Sequence, residues 1–377
     1  MKIVVAPDKF KGSMTAREAG EAMKRGLLRV WPQATIDVVP VADGGDGTAQ
    51  ALVDALGGRF VERDVTGPDG KPVRAAFALL GDGSTAVVEL ARASGLTLIG
   101  AGKNDPRTAS TYGTGQLIAA ALDAGARRVL LAVGGSATND AGAGALSALG
   151  ARFLDAAGAE LLPGGAALAR LERIDVSALT ARLKGVSIEI ASDVDNPLVG
   201  PNGASAVYGP QKGATPDDVR ELDAALARFA EIAQKTTGAD VRDVPGAGAA
   251  GGIAGGFLAL AGARLEPGSG LVLRTVDFER HLQGSAIAVT GEGRLDRQTL
   301  AGKAPFAVAK AAKEHGIPAA AVAGTVDLRR DDLERIGLVK AVSIKPDAMS
   351  LEEATRRAPE LTADAAERLA RAMNLHA

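Results

Sequence analysis

Near residue 290 a four-residue apolar run stops abruptly in glycine, and few folds accept that pattern. Ala286-Ile287-Ala288-Val289 has the length and composition of a strand buried on both faces of a parallel sheet. It ends in Thr290-Gly291-Glu292-Gly293, where glycine lets backbone approach a ligand closely. Arg294, Asp296 and Lys303 follow, and Pro305 suits the first residue of a helix. A buried strand, a flexible turn carrying both signs of charge and a helix N-terminus read as one α/β unit. Open α/β sheets bind their ligands at the carboxyl ends of such strands.

The same rhythm opens the chain. Lys2 to Ala6 reads as a buried strand, Pro7 to Ser13 as the turn after it, and Thr15-Ala-Arg-Glu18 as a capping box that starts a helix to about Val30. Ile36 to Val41 is a second strand, followed by the turn Ala42 to Thr48 and a helix that Gly57-Gly58 ends. At the other end, helix Pro305–His315, strand 319–323, helix 331–336, strand 339–344 and a terminal helix capped at Ser350 continue it. Two ends thus supply five strands, the number a flavodoxin-like doubly wound parallel sheet of order 2-1-3-4-5 needs. In that order Pro7–Ser13 faces Thr290–Lys303, with Ala42–Thr48 alongside.

Between the ends the rhythm changes. Val61 to Leu80 reads as a hairpin around Gly67-Pro68-Asp69-Gly70, with a second turn at Gly81-Asp82-Gly83. Buried strands at 127–133 and 186–191, and helices at 116–124 and 215–236, follow. The expected organisation is therefore α/β throughout: residues 1–60 and 280–377 form the flavodoxin-like domain, and 61–279 a second, mixed α/β domain inserted into it.

Composition narrows the function classes. The chain has 377 residues, 46% hydrophobic, and a formal net charge of -2, which leaves no footprint for nucleic acid or an anionic membrane. It contains no cysteine, so disulfides and thiolate metal sites are excluded and a cytoplasmic setting is expected. No segment reads as a signal peptide or a membrane span. Three histidines, at 281, 315 and 376, support neither a zinc site nor a histidine-based triad.

Five stretches carry chemistry. Pro7-Asp-Lys-Phe-Lys-Gly-Ser13 offers Lys9, Lys11, Ser13 and a helix N-terminus to an anion, although a capped turn with solvated lysines reads the same way. Ala42-Asp-Gly-Gly-Asp-Gly-Thr48 puts Asp43 and Asp46 on a turn with Gly44 and Gly45; hard oxygens of this kind suit Mg²⁺, while N-cap and turn roles are the plainer account. Gly134-Gly135-Ser136-Ala-Thr138-Asn139 follows a strand and could cradle phosphate or carboxylate on its backbone N–H groups. Ser192-Asp193-Val-Asp195-Asn-Pro also follows a strand; one aspartate could take a proton from a hydroxyl and either could hold metal. Lys212 lies downstream between glycines. The fifth stretch is Thr290–Lys303 itself. Gly246-Ala-Gly-Ala-Ala-Gly251 matches GxGxxG, but no convincing strand precedes it, so a glycine-rich helix start with a packing or loop role is expected. No GxxxxGK[ST] stretch exists.

PDKFKGS at 7–13, ADGGDGT at 42–48, GGSATNDAG at 134–142, SDVDNPL at 192–198 and TGEGRLDRQT at 290–299 together resemble the glycerate kinase type 1 family, in the same order from first strand to terminal helix. The resemblance implies a flavodoxin-like domain with a second domain inserted. It also implies transfer of the γ-phosphoryl of ATP to a hydroxyl of D-glycerate with Mg²⁺; bacterial members of this type generally make 2-phosphoglycerate. On that reading Asp43 and Asp46 hold Mg²⁺, directly or through water. Lys11, Ser13 and Lys303 contact phosphates or the glycerate carboxylate, and Asp193, with Asp195 second, is the base. Lys9, Gly44, Gly45, Gly134, Gly135, Ser136, Thr138, Asn139, Lys212, Gly291, Glu292, Arg294 and Asp296 complete the binding set. The expected partner is D-glycerate, with no nucleic acid or membrane, for a monomer or homodimer. Two other classes fit less of the pattern: a nicotinamide-dependent dehydrogenase, resting on GxGxxG, and a non-catalytic regulator that binds a small hydroxy acid.

Overall fold

A computed structural model describes residues 1–100, 102–346 and 348–373, so His376 lies outside the described residues. In chain order the strands are β1 (Lys2–Pro7), β2 (Thr35–Val38), β3 (Gly58–Thr66), β4 (Pro72–Leu80), β5 (Thr85–Glu89), β6 (Arg128–Ala132), β7 (Arg152–Leu154), β8 (Arg173–Asp175), β9 (Ser187–Ala191), β10 (Arg264–Glu266), β11 (Ser285–Gly291), β12 (Arg294–Leu295), β13 (Ala319–Ala323), β14 (Thr325–Val326) and β15 (Leu338–Ser343). The chain divides into two compact units, Met1–Asp43 with Gln50–Gly57 and Pro267–Ala377, and Gly44–Ala49 with Gly58–Glu266.

The first unit is a five-stranded sheet of order β15-β13-β11-β1-β2, parallel throughout. Read from its other edge this is 2-1-3-4-5, the order that the strand count predicts. Its inner strands are largely apolar because helices cover both faces; all five residues of β13 are buried. The helix Ala16–Leu28 begins at Thr15, whose side chain accepts from Glu18 N–H while Glu18 accepts from Thr15 N–H. Its buried face adds Met23 and Leu27 to a core with Ile3, Val5, Val289, Val322 and Leu369. Boundaries moved by one to three residues: the helix expected from Pro305 is Ala304–Glu314, with proline in its first turn, and the second strand stops at Val38 rather than Val41.

The second unit is a six-stranded mixed sheet of order β10-β9-β6-β5-β4-β3. The expected hairpin is β3–β4, turning at Gly67–Gly70, and β4 returns antiparallel to β5. From β5 onward the pairing is parallel, through β6 and β9 to β10. Its own core includes Phe77, Leu117, Leu131, Phe229 and Phe257. The long helix runs Pro216–Thr237, opened by the box Thr215–Asp218 and closed by Gly238 in the left-handed region. The earlier helix is Tyr112–Asp123, longer at its N-terminus than the pattern suggested. The sequence pattern missed β7, β8 and β10, each three residues long; the glycine-rich helix start expected at 246–251 opens the helix Ala249–Ala261, whose length its Ala/Gly composition, carrying no apolar period, did not show. No helix among the described residues is long and apolar enough to cross a membrane.

Candidate active site

In the first unit β1 lies between β2 and β11, so the carboxyl ends of β1 and β11 meet where the strand order reverses. Pro7 is level with Gly291, and Asp8 N–H donates to the Gly291 carbonyl at 2.8 Å. Val41 N–H donates to the Pro7 carbonyl at 3.0 Å, which brings Asp43 to the same end. The loops 7–13 and 290–303 therefore stand side by side, as their placement in the sequence required. Gly291 has a packing reason as well: a Cβ there would come within 2.0 Å of the Val322 carbonyl oxygen.

Charge of both signs gathers here. Asp8 is buried and accepts from Lys9 N–H at 2.6 Å. Burial, reinforced by the charges of Asp43 and Glu292, pushes its carboxyl up to about 7, against the opposing pull of Lys9. Glu292 is also buried and also rises to about 7, chiefly through burial, with Asp296 and Asp43 adding to it. The Thr299 hydroxyl donates to Glu292 at 2.5 Å, and this bond and the charge of Lys303 pull the other way. Lys303 sits at the N-cap of Ala304–Glu314, where the helix dipole adds to its positive charge. Lys11 is exposed, and the Ser13 hydroxyl donates to the Phe10 carbonyl at 3.1 Å. Arg294 is exposed and bridges to Asp327 at 2.6 Å, while Asp296 accepts from Gln298 N–H at 2.8 Å. These last two brace the loop itself.

Among the described residues, no three histidine, cysteine or acidic side chains converge closely enough to hold a metal alone. The donor set instead suits a cation that needs only one or two carboxylates and completes its shell with water and phosphate, as Mg²⁺ does. The charge of Asp43 raises the proton affinity of both Asp8 and Glu292, a crowding of carboxylates that a divalent cation would relieve.

In the second unit Glu89, Ala132 and Ala191 are level at the ends of β5, β6 and β9, so the loops after those strands emerge together. The Ser192–Asp195 loop leaves β9 with Asp193 and Asp195 both exposed, and Tyr208 donates its hydroxyl to Asn196 at 2.6 Å. Burial and the charge of Asp195 raise the Tyr208 hydroxyl. The loop after β6 is a self-bonded structure rather than a ring of free side chains. Ser136 and Thr138 share a hydroxyl contact at 2.9 Å, and Asn139 donates to Ser205 at 2.9 Å. Lys212, expected as a ligand, is buried; its ammonium donates to the Thr138 carbonyl at 2.7 Å. Burial pulls that ammonium down to about 7, against the charge of Asp140.

Two carboxylates here escaped the sequence reading. Asp140 is fully buried and accepts from the N–H and hydroxyl of Thr111, both at 2.9 Å, and from Gly142 N–H at 3.1 Å. Glu89 accepts from Gly47 N–H at 2.8 Å and Ala49 N–H at 3.1 Å, and pairs with Arg92. It thereby holds the loop that carries Gly44, Gly45 and Asp46. Only the polar terminus it puts on an otherwise apolar strand, Ala86-Val-Val-Glu89, could have flagged it. The GxGxxG stretch is closely packed: a Cβ would lie 2.2 Å from the Leu265 side chain at Gly246, 2.2 Å from the Pro197 carbonyl oxygen at Gly248 and 2.0 Å from the Thr138 carbonyl oxygen at Gly251. That leaves no room there for a dinucleotide.

The arrangement amounts to glycine-bearing, lysine- and carboxylate-bearing loops at the carboxyl ends of parallel strands, which suits phosphoryl transfer. The sequence profile of the glycerate kinase family matches residues 3–374. This chain belongs to the glycerate kinase family. A glycerate kinase of Bacillus subtilis (strain 168) is 51% identical over 360 residues, covering 96% of this chain and 94% of that one. A glycerate 2-kinase of Escherichia coli (strain K12) is 44% identical over 358 residues, covering 95% and 94%. A crystal structure of a Salmonella typhimurium LT2 protein assigned as glycerate kinase 2 superposes with a TM-score of 0.91 at 42% identity, covering 98% of this chain and 97% of that one.

Proposed function

We propose that this member of the glycerate kinase family transfers the γ-phosphoryl of magnesium ATP to a hydroxyl of D-glycerate, releasing ADP and a phosphoglycerate, with 2-phosphoglycerate favoured. The observation that supports it most is that the motif loops follow the carboxyl ends of β1, β2, β6, β9 and β11 within a chain matched to the family from end to end. A relative bearing the name glycerate 2-kinase supports the position of transfer.

Phosphoryl transfer asks a protein mainly for positioning and charge neutralisation. In this proposal Lys11, Ser13 and Lys303, the last on a helix N-terminus, contact phosphate or the substrate carboxylate. Gly134, Gly135 and the loop they open present backbone N–H groups to an anion. Asp193, exposed at the end of β9, takes the proton of the accepting hydroxyl, with Asp195 second. Asp43 and Asp46 would hold Mg²⁺, which supplies positive charge against the phosphate oxygens when bound. The enzyme would act in the cytoplasm, as a monomer or a homodimer.

The test is ADP release by the purified protein in Mg-ATP, with and without D-glycerate, and phosphorus NMR of the product. Glycerate-dependent ADP with a phosphoglycerate resonance supports the proposal and fixes the hydroxyl. No ADP above background with both substrates saturating overturns it.

A further inference from the structure

The loop after β6 has a buried cation against it that the proposed reaction leaves without a role. Lys212 ends a single helical turn, Pro210–Lys212, which Gly213 closes in the left-handed region at φ +98. Lys212 is 2% exposed; its ammonium donates to the Thr138 carbonyl at 2.7 Å and lies 3.5 Å from the Ser136 hydroxyl. Asn104 adds a second brace, donating from Nδ2 to the Ala137 carbonyl at 2.9 Å and to the Lys212 carbonyl at 2.7 Å. A carbonyl needs only a neutral donor, and a buried ammonium is costly unless it is paired. Yet among the described residues no carboxylate comes within ion-pair distance of it. Asp140, whose charge acts on it, accepts instead from the N–H and hydroxyl of Thr111 and from Gly142 and Gly144 N–H. The start of the loop has the complementary shortage. Gly134 and Gly135 are exposed, Gly135 in the left-handed region at φ +73, and neither N–H meets an acceptor among the described residues.

We propose that Lys212 is a positioning residue for an anion held on this loop: its ammonium fixes the loop at Thr138 and keeps a positive charge behind the N–H groups that Gly134 and Gly135 offer to a phosphate or carboxylate. The inference rests on the kinase reading above, which gives the loop an anion to hold, since ATP carries phosphates and D-glycerate a carboxylate. Successive backbone N–H groups about a left-handed residue make a concavity suited to an anion. Ser136, which the ammonium approaches, directly follows Gly135. Burial keeps Lys212 from touching the ligand, so it acts through the loop and through its field, which low-dielectric surroundings screen little. The bound anion is then the counter-charge that the protein itself does not place there. Burial alone lowers the ammonium to about 7, and an anion on the loop would raise it again.

Lys212→Met keeps an apolar stem and removes both donor and charge, whereas Lys212→Gln keeps an N–H donor without the charge. Both should fold and melt cooperatively, because each removes a buried charge. In each, the KM of one substrate should rise by about tenfold or more while that of the other stays within about twofold of wild type. A rise for ATP, with ADP binding weakened to match in titration calorimetry, puts a phosphate on the loop. A rise for D-glycerate, with its own binding weakened, puts the carboxylate there. Unchanged KM values in the folded variants would overturn the proposal, as would an equal rise for both substrates. Wild-type behaviour in Lys212→Gln would also overturn it, leaving Lys212 a neutral brace, and failure of both variants to fold would make the residue structural alone. If the wild type forms no glycerate-dependent ADP, the kinase reading fails separately and the calorimetry still decides. ADP or D-glycerate bound by wild type and weakened in both variants upholds the proposal; equal or absent binding throughout discards it.

Discussion

Glu89 is 2% exposed at the end of β5, and its carboxylate accepts from two backbone N–H groups of the 44–49 loop while pairing with Arg92. Removing it leaves those buried donors unmade, which costs about 1–3 kcal/mol for each group of this kind. Glu89→Ala should therefore lower stability by about 2–4 kcal/mol in denaturant titration and depress turnover, whereas Glu89→Gln, which keeps an acceptor oxygen, should retain most of both. Equal losses in the two variants would show that charge, not the acceptor, holds the loop. Asp193 is the opposite case, exposed and outside any core. Asp193→Asn should cut kcat by about 10²–10⁴-fold with an unchanged melting temperature. Near-normal turnover would remove it as the base.

Among the elements, strands and helices with a clear apolar period are legible in the sequence and sit within a few residues of where they were expected. The helix Ala249–Ala261 is legible only as a glycine-rich start, because small residues there serve close approach rather than an amphipathic face. Gly251 combines φ +77 with a Cβ position 2.0 Å from the Thr138 carbonyl oxygen. Both conditions exclude a side chain, so Gly251→Ala should destabilise by about 1–3 kcal/mol and displace the loop after β6. A matching fall in activity and melting temperature would bear this out, and a fully stable, fully active variant would refute it. The β10 edge strand was missed for a related reason: three residues carry too little pattern to announce a strand, and pairing with β9 makes it one.

For the whole molecule, three buried groups set a pH dependence with opposed signs. Asp8 and Glu292, ordinarily near 3.8 and 4.5, titrate near 7 when folded. Between those values the folded chain holds protons that the unfolded chain has released, so their contribution favours folding in acid and is lost as pH rises to about 7. Lys212 is lowered from 10.5 to about 7, so the unfolded chain holds the extra proton and stability rises with pH across that window. Urea unfolding of metal-free protein should show Asp8→Asn and Glu292→Gln flattening the profile below neutrality, and Lys212→Met flattening it above. Unaltered profiles would mean these groups are solvated in solution. The two cores also share no residue, since one draws on 3–36 and 287–370 and the other on 61–263. A fragment spanning 58–266 should melt cooperatively on its own, whereas 1–57 should not, because β1 needs β11 beside it. Circular dichroism of the two fragments checks both statements.

By itself the sequence determined the fold class, the strand count of the flavodoxin-like sheet, its order and the family. Those depend on local period, glycine punctuation and five motifs in order, all of which are written along the chain. It also named most residues around the carboxyl ends of the strands. Only the tertiary structure decided which of them are presented and which are spent within the protein. Lys212 and Thr138 read as ligands because lysine and hydroxyls beside glycine suit anions, yet both are buried and bonded to each other. Asp8, Glu89 and Asp140 drew no role because burial, which gives each its character, comes from segments far away in the chain. Burial and hydrogen-bond partners are properties of the packed chain, and no spacing of residues encodes them.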